Sequence, residues 1–463
     1  MKQLINNYFT RALFLLLVIT SGWLKLFPPA LLNTDQINTA VLCLLVIGLW
    51  ATTLIPEYIT ALLFFCIAML FSIAPPEQVF AGFSSSVFWL VFAGLIIGIA
   101  IKKTGLGKHI ATLIVTHLKN SYPILISGIV MIGVLFSFLM PSAMARIVLI
   151  IPVMLLVASH FGFEKGSNGH TGIILAAFMG AFIPAFSILP ANVANMILTG
   201  MYETQFGASL LYGEYLLLHF PVLGLLKAML IIILIVILYP DHIRVIDKSE
   251  LQSKTQWTKN ERFLSILLVV ALLFWVSDFL HHISPAWIAM VVAIILLFPK
   301  FGIISKKEFN QQIDFATLFF VAGIIGFGVV ISHSGLGNII AENFLKHFPL
   351  NPQSTFYNYM LLNISAMLTG VITTLPGVPA VLVPLVEQFS QASGLSEKTV
   401  IMTQVVGFST IIFPYQAPPV LVATRLSGVR LSITFKFCAI LALFTIVFLM
   451  PINFLWWKFL GWI

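Results

Sequence analysis

Pro56-Glu57-Tyr58-Ile59 returns as Pro285-Ala286-Trp287-Ile288, and the match runs on without a gap to Gly94 and Gly323. Phe80 pairs with Phe309 and Ala93-Gly94 with Ala322-Gly323, all at one offset of 229, that is 285 minus 56. One residue of slippage later, Thr104-Gly105-Leu106-Gly107 pairs with Ser334-Gly335-Leu336-Gly337. A repeated layout in a chain this apolar predicts the two related halves of a secondary transporter.

The 463 residues are 60% hydrophobic and 9% charged, with a mean hydropathy of +1.05. A soluble domain carries roughly a quarter charged residues, so lipid rather than water must cover this surface. Backbone in lipid has to satisfy its own hydrogen bonds, which leaves helices or closed barrels. Apolar runs of about 20 residues select helices. The fold class expected is therefore an all-α polytopic membrane protein. Cys43, Cys66 and Cys438 all sit in apolar segments and form neither a disulfide framework nor a zinc spacing. No cofactor is expected.

Eleven spans are predicted: 9–27, 36–55, 57–74, 85–101, 170–199, 216–240, 263–281, 285–299, 315–333, 398–424 and 431–457. The first resembles a signal peptide but has no small-x-small cleavage site, and reads as an uncleaved span. Two further apolar stretches, 121–159 and 355–393, are broken by Pro141-Ser142-Ala143 and by Thr373-Thr374-Leu375-Pro376-Gly377. Each is either two full spans or one re-entrant hairpin, and charge does not separate the two; the Pro/Gly-rich tips favour hairpins, since an irregular tip at mid-depth is tolerated where protein or a water-filled cavity surrounds it. Of the 24 Lys and Arg, 18 then fall on one side, four on the other (Lys25, Lys346, Lys398, Lys458) and two, Arg146 and Lys227, within the membrane. That bias makes the 18 cytoplasmic, in the cell (inner) membrane, with the N-terminus inside and the C-terminus outside. The net charge of +8 thereby faces anionic lipid, and a nucleic-acid partner is excluded. The matched spans 57–74 and 285–299 enter from opposite sides, an inverted-topology repeat. The organisation expected is an N-terminal helix (1–35), a first inverted repeat (36–240), a cytoplasmic connector (241–262) and a second inverted repeat (263–463), with scaffold and transport units interleaved. Gly107–Leu118 and Asn338–Phe348, each behind a Gly-Leu-Gly, read as interfacial helices.

Each half also holds a broken helix. Span 170–199 contains Ser187-Ile-Leu-Pro190-Ala-Asn192-Val-Ala-Asn195, and span 398–424 contains Thr410-Ile-Ile-Phe-Pro414-Tyr-Gln416-Ala-Pro418-Pro419. Aligned on Pro190 and Pro414, Asn192 meets Gln416. Proline removes a helix hydrogen bond and clashes with the preceding turn, so both breaks free main-chain groups at mid-membrane. Half-helix N-termini can bind an anion, and freed carbonyls a cation.

The order in each half is a glycine-bearing span, a Gly-Leu-Gly turn, a small-residue hairpin tip and a Pro-broken helix. Together with Gly82-Phe83-Ser84-Ser85-Ser86-Val87-Phe88-Trp89-Leu90 and Lys103-Thr104-Gly105-Leu106-Gly107, this order resembles the divalent anion:sodium symporter family of the ion transporter superfamily over residues 36–457. The resemblance implies a homodimer and a Ser-Asn-Thr triplet at each tip that binds sodium and a substrate carboxylate. Here the tips read Ser142-Ala143-Met144 and Thr374-Leu375-Pro376, so one hydroxyl survives at each. Of the family's Thr-Pro-Pro-Asn at the breaks, Asn195 remains in the first half and Pro418-Pro419 in the second, where Val420 replaces the Asn.

Candidate anion contacts are Ser142, Ala143, Met144, Arg146, Asn192, Asn195, Thr373, Thr374, Gln416 and Pro418. Candidate cation ligands are Ser142, Ser187, Thr374 and Thr410, with Na⁺ or H⁺ as the coupling ion. Arg146 is either an anion contact or a structural arginine bonded to hairpin carbonyls. Lys227 is either part of a proton-linked step or a scaffold lysine, and Glu387 reads as a surface residue. The function expected is secondary active transport of a small anion (di- or tricarboxylate, sulfate or similar) by alternating access, ion-coupled or exchanging. The alternative is a cation/proton antiporter or metalloid carrier of the same superfamily. The breaks and tips offer no buried acid for a cation antiporter, and the short outer loops offer no cluster for an enzyme.

Overall fold

A computed structural model of the chain describes residues 15–29, 32–52, 54–110, 121–243 and 256–463. The start of the first expected span, the interfacial segment beyond Ile110 and residues 244–255 of the connector lie outside the described residues, as do Lys2, Arg11, Lys119, Arg244, Lys248 and Lys254. Every regular element described is helical. The principal helices of the first half are α1 (Leu15–Leu26), α2 (Thr34–Thr52), α3 (Glu57–Leu70), α4 (Ser86–Thr104), α5 (Tyr122–Leu139), α6 (Ala143–His160), α7 (Asn168–Phe182), α8 (Val193–Phe206) and α9 (Tyr212–Leu238). Those of the second are α10 (Lys259–Val276), α11 (Pro285–Leu297), α12 (Phe315–His333), α13 (Leu336–His347), α14 (Thr355–Thr373), α15 (Gly377–Ser393), α16 (Glu397–Phe408), α17 (Pro418–Ser427) and α18 (Leu431–Phe459).

Among the described residues eight helices are long and apolar enough to cross a membrane, with α1, α3 and α11 shorter but apolar. The expected spans at 263–281 and 398–424 fall outside those eight. The polar Lys259-Asn260-Glu261-Arg262 opens α10, and the break at Pro414 splits the other span into α16 and α17. The two stretches expected as hairpins differ: α14 and α15 bend by 117° at their junction, whereas α5 and α6 are 18 residues each, long enough to span singly.

The inversion is visible in which ends meet. Lys103, at the end of α4, bonds Ile303 O at 2.8 Å and Glu308 Oε2 at 2.7 Å, in the segment that leads into α12. His333, the last residue of α12, bonds Gln78 at 2.8 Å, in the segment that leads into α4. Each helix therefore ends beside the start of the other, so the two run antiparallel. Lys103 and His333 stand at opposite ends of α12, whose 19 residues rise about 28 Å. The halves are also interleaved, α3 packing on α12 and α11 on α4. Small residues allow it. A Cβ on Gly82 would stand 2.1 Å from Ala322 O, and one on Gly326 2.2 Å from Val79 O. With no hydrophobic drive between helices in lipid, such close backbone approach supplies the packing.

Gly105 and Gly335 take φ of +77° and +72° and turn the chain out of α4 and α12. The helix α13 that follows Gly335 is thus a separate element, as the sequence reading held. The repeat extends to a feature that the sequence did not reveal: α9 and α18 each contain a π-helical segment, Phe220–Leu226 and Thr445–Leu449. Pro221 lacks the N–H that would bond Leu217 O, and that carbonyl accepts from Trp456 Nε1 at 3.0 Å instead. Trp457, near the end of α18, is fully buried against Tyr359 and His219.

Candidate functional site

Proline decides where the main chain opens. Helix α7 ends at Phe182, two 3₁₀ turns follow (Pro184–Ser187 and Leu189–Ala191), and α8 begins after Asn192. In the second half α16 ends at Phe408, a 3₁₀ turn covers Pro414–Gln416, and α17 begins at Pro418. The two tips lie against these breaks. The N-cap residues of α6, α8, α15 and α17, which are Ser142, Asn192, Pro376 and Ala417, all line one cavity of about 210 Å³. Each helix N-terminus carries roughly half a positive elementary charge. Four of them facing one space make a field for an anion, and Asn192 Oδ1 (from Ala194 N, 3.0 Å) and Ser142 Oγ (from Ala145 N, 3.2 Å) cap two of them.

Two amide side chains face the same cavity. Asn192 is 6% exposed and Gln416 0%. Gln416 Oε1 accepts from Ile412 N at 2.9 Å and Phe413 N at 2.8 Å. Both amide oxygens are thus committed to backbone N–H groups, which fixes the orientation of each amide. Asn192 Nδ2 and Gln416 Nε2 are left as buried donors with no partner among the described residues. Unpaired buried donors are costly unless an acceptor completes them. The equivalence of Asn192 and Gln416 read from the prolines holds in space, since both line the cavity.

Ser142, Ala143, Met144, Asn192, Gln416 and Pro418 line this cavity, while Arg146, Asn195, Thr373 and Thr374 do not. Arg146 is wholly buried and its guanidinium is spent on carbonyls. Nε donates to Ala181 O at 2.9 Å, one terminal nitrogen to Ala191 O at 2.9 Å and the other to Met140 O. It joins the first tip, the end of α7 and the first break, the structural one of the two roles the sequence left open. The second tip has no such arginine and is tied to its break by main chain, Leu375 N donating to Gln416 O at 3.2 Å. Asn195 Nδ2 stitches the first break through Phe186 O (3.1 Å) and Ile188 O (3.0 Å). Thr373 Oγ1 bonds Thr369 O at 2.9 Å, and Thr374 holds φ +69°, ψ 169°, a region that L-residues avoid.

Of the four candidate cation ligands only Ser142 lines the cavity. Ser187 Oγ bonds Pro184 O at 2.6 Å and Thr410 Oγ1 bonds Val406 O at 2.9 Å. Lys227 reaches the second break, Nζ to Ser409 O at 2.9 Å, and Glu387 is exposed. Sequence reasoning missed the far wall of the cavity: Val91, Gly94 and Leu95 of α4, Glu57 at the start of α3, and Asp314, Thr317 and Phe320 at the start of α12. Glu57 stands inside the repeated stretch, but nothing local says that it faces a tip more than eighty residues away. Because Glu57 and Asp314 lie at the Lys103 end, the cavity reaches toward that end. At the opposite end Glu203 of α8 accepts from Ser86 N (3.0 Å), Ser86 Oγ (2.8 Å) and Ser85 Oγ (3.0 Å), tying α8 to the start of α4.

Residues 7–463 match the model of the sodium:sulfate symporter transmembrane region. The chain belongs to this family. The resemblance read from the glycine-bearing spans and broken helices is thereby borne out, and the symporter-family chain is a polytopic membrane transporter, not an enzyme. It is 23% identical over 402 residues to a membrane protein of Cupriavidus necator, covering 83% of this chain and 77% of that one. It is 22% identical over 356 residues to the sodium-dependent dicarboxylate transporter SdcS of Staphylococcus saprophyticus, covering 71% and 68%. It is 24% identical over 285 residues to the L-tartrate/succinate antiporter of Escherichia coli K12, covering 58% of each. The crystal structure of the YdaH transporter of Alcanivorax borkumensis superposes with a TM-score of 0.58 at 15% identity, covering 93% of this chain and 99% of that one, which shows a shared fold.

Proposed function

We propose that this symporter-family chain carries a small carboxylate-type anion across the membrane by alternating access. The observation that carries the reading is the pair of unpartnered amide donors, Asn192 Nδ2 and Gln416 Nε2, lining one cavity with four helix N-termini. The relatives named for dicarboxylate and for tartrate/succinate support a carboxylate over sulfate. The interleaved, antiparallel halves support exchange of access between the Lys103 end and the His333 end. The gathering of Lys and Arg supports a cytoplasmic Lys103 end, so the cavity described faces inward, with the N-terminus inside and the C-terminus outside. Assembly as a homodimer rests on the family resemblance.

Anion exchange is the coupling mode that the breaks favour. At the first break Arg146 already donates to Met140, Ala181 and Ala191 O, and Asn195 to Phe186 and Ile188 O. Few of the freed carbonyls there remain for a sodium ion. The test is counterflow in proteoliposomes with Asn192→Asp and Gln416→Glu. Each change keeps the capping oxygen and replaces the N–H donor by an acceptor. Each should lower uptake at least about tenfold, because a hydrogen bond to a charged group is worth roughly 1.5–3 kcal/mol. Unchanged uptake in both variants would overturn the reading.

A further inference from the structure

The cavity has two poles. Its deep end carries the two amide donors and the helix N-termini, while Glu57 and Asp314 stand at the Lys103 end. Among the described residues no Lys, Arg or His lines it. Asp314 is the N-cap of α12, its carboxylate accepting from Thr317 N (3.2 Å) and Thr317 Oγ1 (2.6 Å). The Glu57 carboxylate makes no hydrogen bond or ion pair with any described residue. Trp50 Nε1 bonds only the main-chain Glu57 O, at 3.2 Å.

A compact dianion fits one pole and not the other. Its first carboxylate finds donors at Asn192 and Gln416, but a second, pointing to the mouth, meets two acceptors of like charge and, among the described residues, no basic side chain. Repulsion between like charges in a partly desolvated cavity is felt, and it disfavours the charged forms brought together. We propose that the preferred substrate is a small amino-carboxylate zwitterion, bound with its carboxylate on Asn192 and Gln416 and its ammonium on Glu57, with Asp314 adding negative potential. The proposal rests on the carboxylate reading above and names the substrate class of that same site. A cavity of about 210 Å³ exceeds the roughly 150 Å³ that accommodates a benzene, which leaves room for a molecule of a few carbons. Apolar Met144, Phe182, Met196, Phe320 and Leu375 line the same cavity and suit a short hydrocarbon link.

The experiment uses the full chain in proteoliposomes and compares β-alanine with succinate, which differ by the replacement of one carboxylate by an ammonium, as competitors in counterflow. The expected result is that β-alanine competes at least about tenfold better than succinate in the unaltered protein, the worth of one partly buried ion pair. In Glu57→Gln the preference should collapse to within about twofold, with succinate gaining, which a misfolded variant would not show. Succinate competing as well as β-alanine in the unaltered protein overturns the proposal and needs no variant. So does a preference for β-alanine that Glu57→Gln leaves intact. A third outcome also overturns it: succinate uptake that requires a sodium gradient, with the requirement lost in Glu57→Gln, would make Glu57 the seat of a separate cation. Transport of neither compound, nor of any other carboxylate, would instead defeat the carboxylate reading itself.

Discussion

Replacing Arg146 by alanine removes three donors from a site with no access to water and leaves Met140 and Ala191 O without them and Ala181 O with only the long 3.4 Å bond from Ser137 Oγ. An unsatisfied buried carbonyl costs about 1–3 kcal/mol, so the gross loss is on the order of 3–9 kcal/mol. Against this stands the several kcal/mol that burying the guanidinium itself costs, which the variant recovers. The net is a destabilisation of about 3 kcal/mol, concentrated where the first tip meets the first break. With about 2.1 cal/mol/K of unfolding entropy per residue over 463 residues, 1 kcal/mol moves the melting temperature by about 1 °C. Arg146→Ala should therefore melt about 3 °C below the unaltered protein in detergent, and more if helices persist in the unfolded state. Transport should fall along with stability, and Arg146→Lys should be intermediate, since an ammonium lacks the planar fork that reaches three carbonyls. Both are read by thermal unfolding alongside counterflow. If Arg146→Ala melted at the original temperature and still lost transport, the guanidinium would be acting on substrate and the structural role would be wrong.

Thr374→Gly should stabilise the protein by about 1–3 kcal/mol, because only glycine sits without strain at φ +69°, ψ 169°; a melting curve that falls or stands still contradicts this. Gly133→Ala would put a Cβ 2.4 Å from Ala181 N and should push α5 off α7, at a cost of about 1–3 kcal/mol seen as reduced thermal stability. At the Lys103 end, Lys103 and then Ser305 hold the Glu308 carboxyl down to about 2, from an ordinary 4.5. A depressed folded-state value means that this tie is complete above pH 4.5 and is lost as pH falls toward 2. Hydrogen exchange across residues 303–310 should quicken over that window, and Glu308→Gln should show the faster exchange already at pH 7, where the unaltered protein is protected.

Reading the chain alone fixed the class, the inverted repeat, the two breaks and the equivalence of Asn192 with Gln416. These are carried by local signals: apolar runs of a set length, glycines at turns, and prolines that stop a helix wherever they fall. The boundaries of α12 were legible to the residue, because Asp314 and the Ser334-Gly335 pair punctuate an unbroken apolar run. Other features became visible only in three dimensions. Arg146 carries the same sequence signal whether its fork meets an anion or three carbonyls, and the choice is made by Ala181 and Ala191, which lie 35 and 45 residues away. Glu57 and Asp314 belong to spans that the sequence assigns no chemistry; the packing of α3 on α12 brings both to the tips. Local sequence determines where a helix starts and stops, through hydrogen bonds made within a turn or two. Which carbonyl receives a buried cation, and which carboxylate faces a cavity, depends on contacts between segments far apart in the chain, and only the packed halves decide them.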